Sequence, residues 1–278
     1  MKENLLVKYL SCPCCRSDMM LSEDKKSLYC AGERSHTFDF SAKGYVNLAL
    51  TQGATGDSKD AVASRSGFLD GAYYAPIRDK LCEILKKYKG DGFVIDAGCG
   101  EGYYTSRIAD EGYLTAGFDL SKYAVAKASS RLNCKNDERR FAAVASVFEL
   151  PIKDTSADAI VSIFAPCAET EFVRVLKEDG IFIIVSAGED HLMGLKNAIY
   201  QETYKNEERA DMPKGMIFLA KERLKFEIEI NKNEDIKSLF SMTPYYWRTS
   251  RDDAKKLDGL EYLKTEVDIL FTVFKKEN

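Results

Sequence analysis

The feature that most constrains this 278-residue chain is an apolar run that ends in a glycine-spaced turn. Phe93-Val94-Ile95 leads into Asp96, and Ala97-Gly98-Cys99-Gly100-Glu101-Gly102 follows at once. A short, continuous apolar run bounded by a turn signal reads as a strand buried on both faces, the kind found inside parallel sheets. Three alternating glycines let the backbone turn sharply and approach a ligand closely. A helix is predicted next, over residues 103–109. Strand, glycine turn and helix make the first half of a βαβ unit, so the chain is expected to build an α/β fold around a mostly parallel sheet.

The remaining pattern continues the alternation. Strands are predicted over 114–118, 141–145, 157–164 and 181–186, and helices over 123–132 and 168–176. A helix begins near His191, and late strands over 224–230 and 262–274 flank a helix at 236–240. The glycine turn lacks the extra residue of the dinucleotide pattern G-x-G-x-x-G. Asp96, two positions before the first glycine, suits a cationic methionine moiety better than a pyrophosphate. Asp119, nineteen residues after Gly100, stands at the tip of the next strand, where a carboxylate can accept both ribose hydroxyls of an adenosine. These details favour S-adenosylmethionine as the cofactor, and hence methyl transfer. Ligands of such sheets sit at the carboxyl ends of the strands. That gathers Gly98, Asp119, Ser146, Ala165-Pro166-Cys167 and residues 188–191 around one crevice.

The cysteines are unevenly spread. Of eight, Cys12, Cys14, Cys15 and Cys30 fall in the first thirty residues, with His36, one of only two histidines, close behind. Cys12 and Cys15 form a C-x-x-C knuckle, and Cys30 with His36 forms a second arm around a hairpin turn at 22–25. Three thiolates and one imidazole complete a closed tetrahedral zinc site. A segment too short to bury its own core is suited to such a staple. Clustering at one end reads as metal binding rather than a disulfide framework, and no βαβ pattern surrounds the C-x-x-C to suggest a redox motif. Cys14 remains a competitor of Cys12 or Cys15 for the ion.

Between these regions, residues 51–60 are polar and glycine-containing and read as a loop. Asp57 or Ser58 is placed to cap a helix carrying Ala61, Val62, Arg65, Phe68 and Leu69. Tyr73-Tyr74-Ala75-Pro76 opens another helix, over 77–88. The expected organisation is a zinc-binding module at 1–50, a linking loop and helices at 51–90, and the catalytic domain at 91–278. No run of about 18 apolar residues exists to span a membrane. The start, with Lys2, Glu3 and Lys8, is not a secretory signal, so a cytoplasmic location is expected. A net charge of −4 argues against a broad nucleic-acid-binding surface. Any such contact needs a local patch, for which Arg16, Lys25, Lys26 and Arg34 are candidates.

Taken together, Cys12-Pro-Cys-Cys15 with Cys30 and His36, Lys43-Gly-Tyr-Val-Asn-Leu48, Gly56-Asp-Ser-Lys59, the segment from Phe68 to Pro76, the glycine turn, Phe164-Ala-Pro-Cys167, His191-Leu-Met193 and Met242-Thr-Pro-Tyr245 resemble the bacterial 23S ribosomal RNA (guanine-N1) methyltransferases. The resemblance covers nearly the whole chain. It implies a zinc module that helps to grip a 23S rRNA hairpin, joined to a class I (Rossmann-like) methyltransferase domain, in a homodimer. It implies zinc ligation by Cys12, Cys15, Cys30 and His36, and cofactor contacts by Tyr74, Gly100, Glu101 and His191. Gly98 and Asp119 are assigned from the fold. The family tends to carry consecutive arginines before Phe68-Leu69; here Ser66 follows Arg65, which weakens a phosphate contact expected there.

Ala165-Pro166-Cys167 is expected to hold the target base, its carbonyls facing the Watson–Crick edge. Guanine N1 is itself nucleophilic, so Cys167 is not required as a covalent catalyst, and no side chain stands out as the base. Trp247, with Tyr245, Tyr246 and Arg248, either stacks unpaired bases or packs on the domain edge. The acidic net charge leans towards an alternative, a small-molecule methyltransferase with a structural zinc cap. The motifs in both halves favour RNA. A non-enzymatic binding protein is disfavoured by the intact glycine turn and Asp119.

Overall fold

The computed structural model describes residues 5–50, 56–208 and 212–277. A single 3-10 turn, Val7–Tyr9, precedes strands β1 (Met19–Leu21), β2 (Ser27–Cys30), β3 (Thr37–Asp39) and β4 (Val46–Asn47), then helices α1 (Lys59–Asp70) and α2 (Ala75–Tyr88). The central part runs β5 (Phe93–Ala97), α3 (Tyr103–Asp110), β6 (Leu114–Asp119), α4 (Lys122–Leu132), β7 (Arg140–Val144), β8 (Ala157–Ile163), α5 (Glu169–Val175) and β9 (Leu176–Ala187). It closes with α6 (Met193–Ile199), β10 (Met216–Ile230), α7 (Asn233–Ser241), α8 (Arg251–Lys255) and β11 (Leu263–Lys276).

Strands β1, β2 and β3 form a small antiparallel sheet. The other eight form one sheet in the order β10-β11-β9-β8-β5-β6-β7-β4. Neighbours from β9 to β4 are parallel, and β11 lies antiparallel between β9 and β10. All five residues of β5 are buried, as a strand covered on both faces requires. Its side chains alternate between two core layers. Val94 packs with α2, α6 and α7 residues on one face. Phe93, Ile95 and Ala97 pack with α5 and the N-terminal segment on the other.

That second layer docks the N-terminal segment. Leu6, Leu10 and Leu28 are fully buried in it, and Tyr9 stacks on Phe93 with centroids 4.9 Å apart. Ser11 N–H donates to Pro151 O and Lys153 N–H to Tyr9 O, at 3.0 and 2.9 Å. Arg16 Nη1 donates to Leu150 O at 3.0 Å and pairs with Glu149 at 3.6 Å, so this expected member of a basic patch instead ties the segment to the residues after β7. Val46 and Asn47 pair with Ala143 and Val144, extending the large sheet.

Of the loop expected at 51–60, residues 51–55 lie outside the described residues. The helix after it is capped by Ser58, whose Oγ accepts from Ala61 N–H at 3.2 Å. Strand β10 starts eight residues earlier than its alternating pattern suggests, because Ile217-Phe218-Leu219 crosses a bulge between Phe218 and Ala220 that breaks the period of two. Strand β9 starts at Leu176, whose pairing with Ala157 precedes a register shift. Helix α8 is too short to carry a periodic signal; Ser250 caps it through Asp253 N–H at 3.1 Å.

Candidate metal centre and active site

The hairpin of β1 and β2 carries Cys30 to the knuckle at residues 12–15, and β3 begins just after His36. Cys12, Cys15, Cys30 and His36 thereby converge, with their ligand atoms all within 4.8 Å of one another. Zinc bonds of about 2.3 Å to sulfur and 2.05 Å to nitrogen at tetrahedral angles require sulfur–sulfur separations of about 3.8 Å and sulfur–nitrogen separations of about 3.6 Å. Cys15 and Cys30 Sγ are 3.7 Å apart, and His36 Nδ1 is 3.6 Å from Cys12 Sγ and 3.5 Å from Cys30 Sγ. The donor set is shaped for zinc. Cys14 is exposed and outside the cluster, which settles the competition for the ion.

The glycine turn places Gly98, Gly100 and Gly102 at φ +85°, +52° and +77°. Phe118 O accepts from Gly98 and Cys99 N–H at 2.8 and 3.0 Å, folding the turn back onto β6. A Cβ on Gly98 would lie 2.6 Å from Ala165 Cβ, so only glycine lets this turn touch the one after β8. Below it, Asp96 Oδ2 accepts the Thr105 hydroxyl at 2.5 Å, while Oδ1 is buried without a partner. Burial, with smaller contributions from Asp119 and Glu101, raises the Asp96 carboxyl to about 7. Asp119 accepts from Gly100 N–H at 3.0 Å and Ser121 N–H at 2.8 Å, one on each oxygen. Each oxygen keeps a further acceptor site.

Tyr74, Gly98, Gly100, Glu101, Asp119, Ala165, Pro166 and His191 all line one cavity of about 810 Å³. Cys167 does not. It packs against the core layer that also holds the N-terminal segment, so of the three residues Ala165, Pro166 and Cys167 only the first two reach the cavity, beside Phe164. The Ser162 hydroxyl lies 3.2 and 3.4 Å from the carbonyls of Ala165 and Pro166 and steadies that turn. Residues 188–190 also stand back from the cavity: Gly188 N–H donates to Asp268 O at 2.7 Å, and Ala187 and His191 take the wall.

His191 Nδ1 accepts Asp268 N–H at 3.3 Å. Burial lowers the imidazole to about 4, so it is neutral with its proton on Nε2, a donor. Its ring lies 6.1 Å from Phe164, 20° from parallel, and 6.3 Å from Tyr74. Tyr74 is buried, which pushes its hydroxyl above the ordinary range.

Two features escaped the sequence reading. Arg65, expected near a phosphate, is committed to carboxylates: its Nε donates to Glu101 at 2.7 Å and its Nη1 pairs with Asp57. The pair clamps α1 across the glycine turn, and Glu101 is 2% exposed. Asn206 is held by Lys196 Nζ at 2.7 Å and donates to His191 O at 2.9 Å, closing the same wall. Arg65 stood out in sequence, but its partners, 8 and 36 residues away, did not. Asn206 carried no signal.

Residues 89–243 match the family described as "Methyltransferase domain", and residues 10–52 match that described as "RlmA, N-terminal", a zinc ribbon. YxjB of Bacillus subtilis (strain 168), which carries the name of a 23S rRNA (guanine-N1)-methyltransferase, is 30% identical over 97% of this chain and 98% of its own. The chain belongs to the 23S rRNA (guanine-N1) methyltransferase family. A second member, the Streptomyces fradiae 23S rRNA (guanine(748)-N(1))-methyltransferase, is 29% identical over 98% of each chain. The family's zinc ribbon coincides with the Cys12, Cys15, Cys30 and His36 cluster, and its methyltransferase domain with the sheet that forms the cavity. S-adenosylmethionine is the cofactor of this fold, and the cavity fits it: a glycine cradle with no room for a Cβ lies beside an unpartnered buried carboxylate oxygen of Asp96.

Proposed function

We propose that this chain transfers a methyl group from S-adenosylmethionine to N1 of a guanine in a 23S ribosomal RNA hairpin. The observation that carries this reading is that the likeness to YxjB runs through ribbon and catalytic domain together, over 97% of the chain. Ribbon residues 1–50 contribute to RNA recognition, 51–90 link, and 91–278 hold the catalytic machinery.

The cofactor supplies a methyl group already activated on a sulfonium. The protein's task is to hold donor and acceptor in line. Gly98 and Gly100 let the backbone approach, and the free acceptor sites of Asp119 take the ribose hydroxyls. Asp96 faces the cationic end; a positive charge there favours its ionised form. Tyr74 and His191 contact the cofactor, His191 as an Nε2–H donor. Glu101 contributes through its backbone while its carboxylate holds Arg65. The Ala165 and Pro166 carbonyls meet the Watson–Crick edge of the guanine. Because His191 presents a donor, it is not the base that removes the N1 proton. The chain acts as a homodimer in the cytoplasm; no described helix is long and apolar enough to cross a membrane.

Mass mapping of methylated nucleotides in 23S rRNA tests this. A strain lacking the protein loses one N1-methylguanine, and the purified protein restores it. Unaltered guanine methylation overturns the reading. Net charge is the one observation that favours a small-molecule methyltransferase with the ribbon as a cap. On that alternative, the purified protein leaves the RNA unmethylated.

A further inference from the structure

Three segments far apart in the chain each put an exposed aromatic ring on the wall of the same cavity. Phe148 follows β7 and is 61% exposed, Phe164 follows β8 at 49%, and Trp247 follows α7 at 83%. A single exposed ring needs no explanation, but three around one cavity mark a binding surface.

Two of the rings, Phe164 and Trp247, are held outward by specific packing. Phe164 has φ +51°, a region that bulky residues rarely adopt. It is kept there by its N–H donating to Val185 O at 3.0 Å and by Ser162 holding the turn that follows. Backbone strain of this kind persists where the surroundings over-determine it, and it concentrates at functional sites. One face of the ring lies along His191, while the side chain stays half exposed. In the Tyr245-Tyr246-Trp247 run, Tyr245 turns inward between Tyr200 and Phe240. Tyr246 stands edge-on to Phe240 at 5.2 Å and to Trp247 at 5.0 Å. Trp247 is therefore propped into solvent at the cavity lip instead of being packed on the domain edge. Arg248 and Arg251 follow it, and neither has an ion-pair partner among the described residues, whereas the neighbouring Asp252 and Asp253 are paired with Lys255 and Lys256.

The occupant must suit flat apolar faces, accessible cations and a floor made of the cofactor cradle. N1 of a paired guanine is buried in the base pair, so a methyl group reaches it only if the base leaves its stack. A protein that unstacks a base has to offer replacement stacking, and aromatic side chains do this without regard to sequence. We infer that the three rings are a nucleobase-stacking surface: Phe164, backed by His191, stacks the target guanine, and Phe148 and Trp247 stack unpaired nucleotides beside it. This rests on the RNA methyltransferase reading and assigns how that enzyme recognises its substrate.

Trp247 is the chain's one tryptophan, so intrinsic tryptophan fluorescence reports this site alone. Full-length, zinc-loaded protein saturated with S-adenosylhomocysteine is titrated with a hairpin RNA transcribed from the methylated region. Stacking predicts quenching that saturates with binding measured independently by filter retention. Steady-state kinetics on the same RNA then compare Phe148→Leu, Phe164→Leu and Trp247→Leu with wild type. Each raises KM for RNA roughly 5- to 100-fold. Phe164→Leu alone also lowers kcat, and Phe164→Tyr restores both. S-adenosylhomocysteine affinity stays within about twofold of wild type in all of them. Tyr262→Leu, an exposed aromatic outside the cavity, leaves every quantity unchanged. RNA that binds without quenching Trp247, together with variants of unchanged KM, overturns the inference while methylation proceeds normally. Wild-type protein that methylates no guanine in this RNA overturns the functional reading instead.

Discussion

The first and last zinc ligands are 24 residues apart and the set is gathered by a three-stranded sheet, whereas the walls of the cavity run from Gly56 to Trp247 and need a sheet of eight strands. The ligand set is local: a knuckle, a hairpin and one ion are enough to define it, although the surrounding segment docks on the catalytic core. The cavity is global: the Arg65–Glu101 clamp, the Gly98–Ala165 approach and the His191–Asp268 hydrogen bond each join segments that the fold alone makes neighbours. A local, metal-held site and a global, packing-held site fail differently, and that contrast can be tested.

Zinc removal is the largest perturbation. Structural zinc supplies on the order of 10 kcal/mol or more to folding in small modules. Cys30→Ser, or chelation, is expected to abolish zinc content, expose residues 10–50 to protease and end RNA methylation. Cofactor affinity by calorimetry is expected to fall less than about tenfold, because no ribbon ligand lines the cavity. Equal loss of cofactor binding would break the contrast and make the two regions one folding unit.

Next in size is the clamp. Arg65→Met strands the buried Glu101 carboxylate, and breaking a buried pair costs about 3–5 kcal/mol. Thermal denaturation should show that loss with zinc still bound, and the double variant with Glu101→Gln should recover most of it. A double variant no more stable than Arg65→Met would remove the clamp from the account.

Asp96 gives a smaller effect of unusual sign. Its folded carboxyl sits at about 7 against an ordinary 3.8, so the folded apo protein keeps a proton that the unfolded chain has released. That favours folding below about pH 4 and is lost progressively as the pH rises to about 7. Asp96→Asn is therefore expected to stabilise the cofactor-free protein by about 2–4 kcal/mol at pH 8 and by clearly less at pH 5, while weakening cofactor binding. A stability difference that does not vary with pH shows the carboxylate ionised throughout.

Cys167→Ala is the smallest change. The side chain sits outside the cavity and guanine N1 is its own nucleophile, so kcat should move by less than about twofold. Trapping a protein–RNA adduct that this variant loses would restore the thiol to the reaction.

The ribbon ligands were legible because metal-ligand spacing is written along the chain, and the hairpin between the arms forms where its turn residues predict. The glycine turn was legible too, since close approach and positive φ leave glycine at alternate positions. Most strands announced themselves through apolar runs or alternation. Where β10 carries a bulge the period fails, and the sequence placed its start eight residues late. Cys167 illustrates the remaining gap. Adjacency to Ala165 and Pro166 suggested a shared site, but the turn after β8 sends its side chain into the core layer on the other side.

By itself, then, the amino-acid sequence determined the zinc ligands, the parallel-sheet class, the cofactor and the family, because each depends on short-range spacing or on residue chemistry. Tertiary structure decided which carboxylates Arg65 serves, which tautomer His191 adopts, that Cys14 and Cys167 stand aside, and that Phe148, Phe164 and Trp247 share one cavity. Apart from the Arg65–Asp57 pair, 8 residues apart, those outcomes depend on through-space partners many residues apart, and strand order and register, not local pattern, choose such partners.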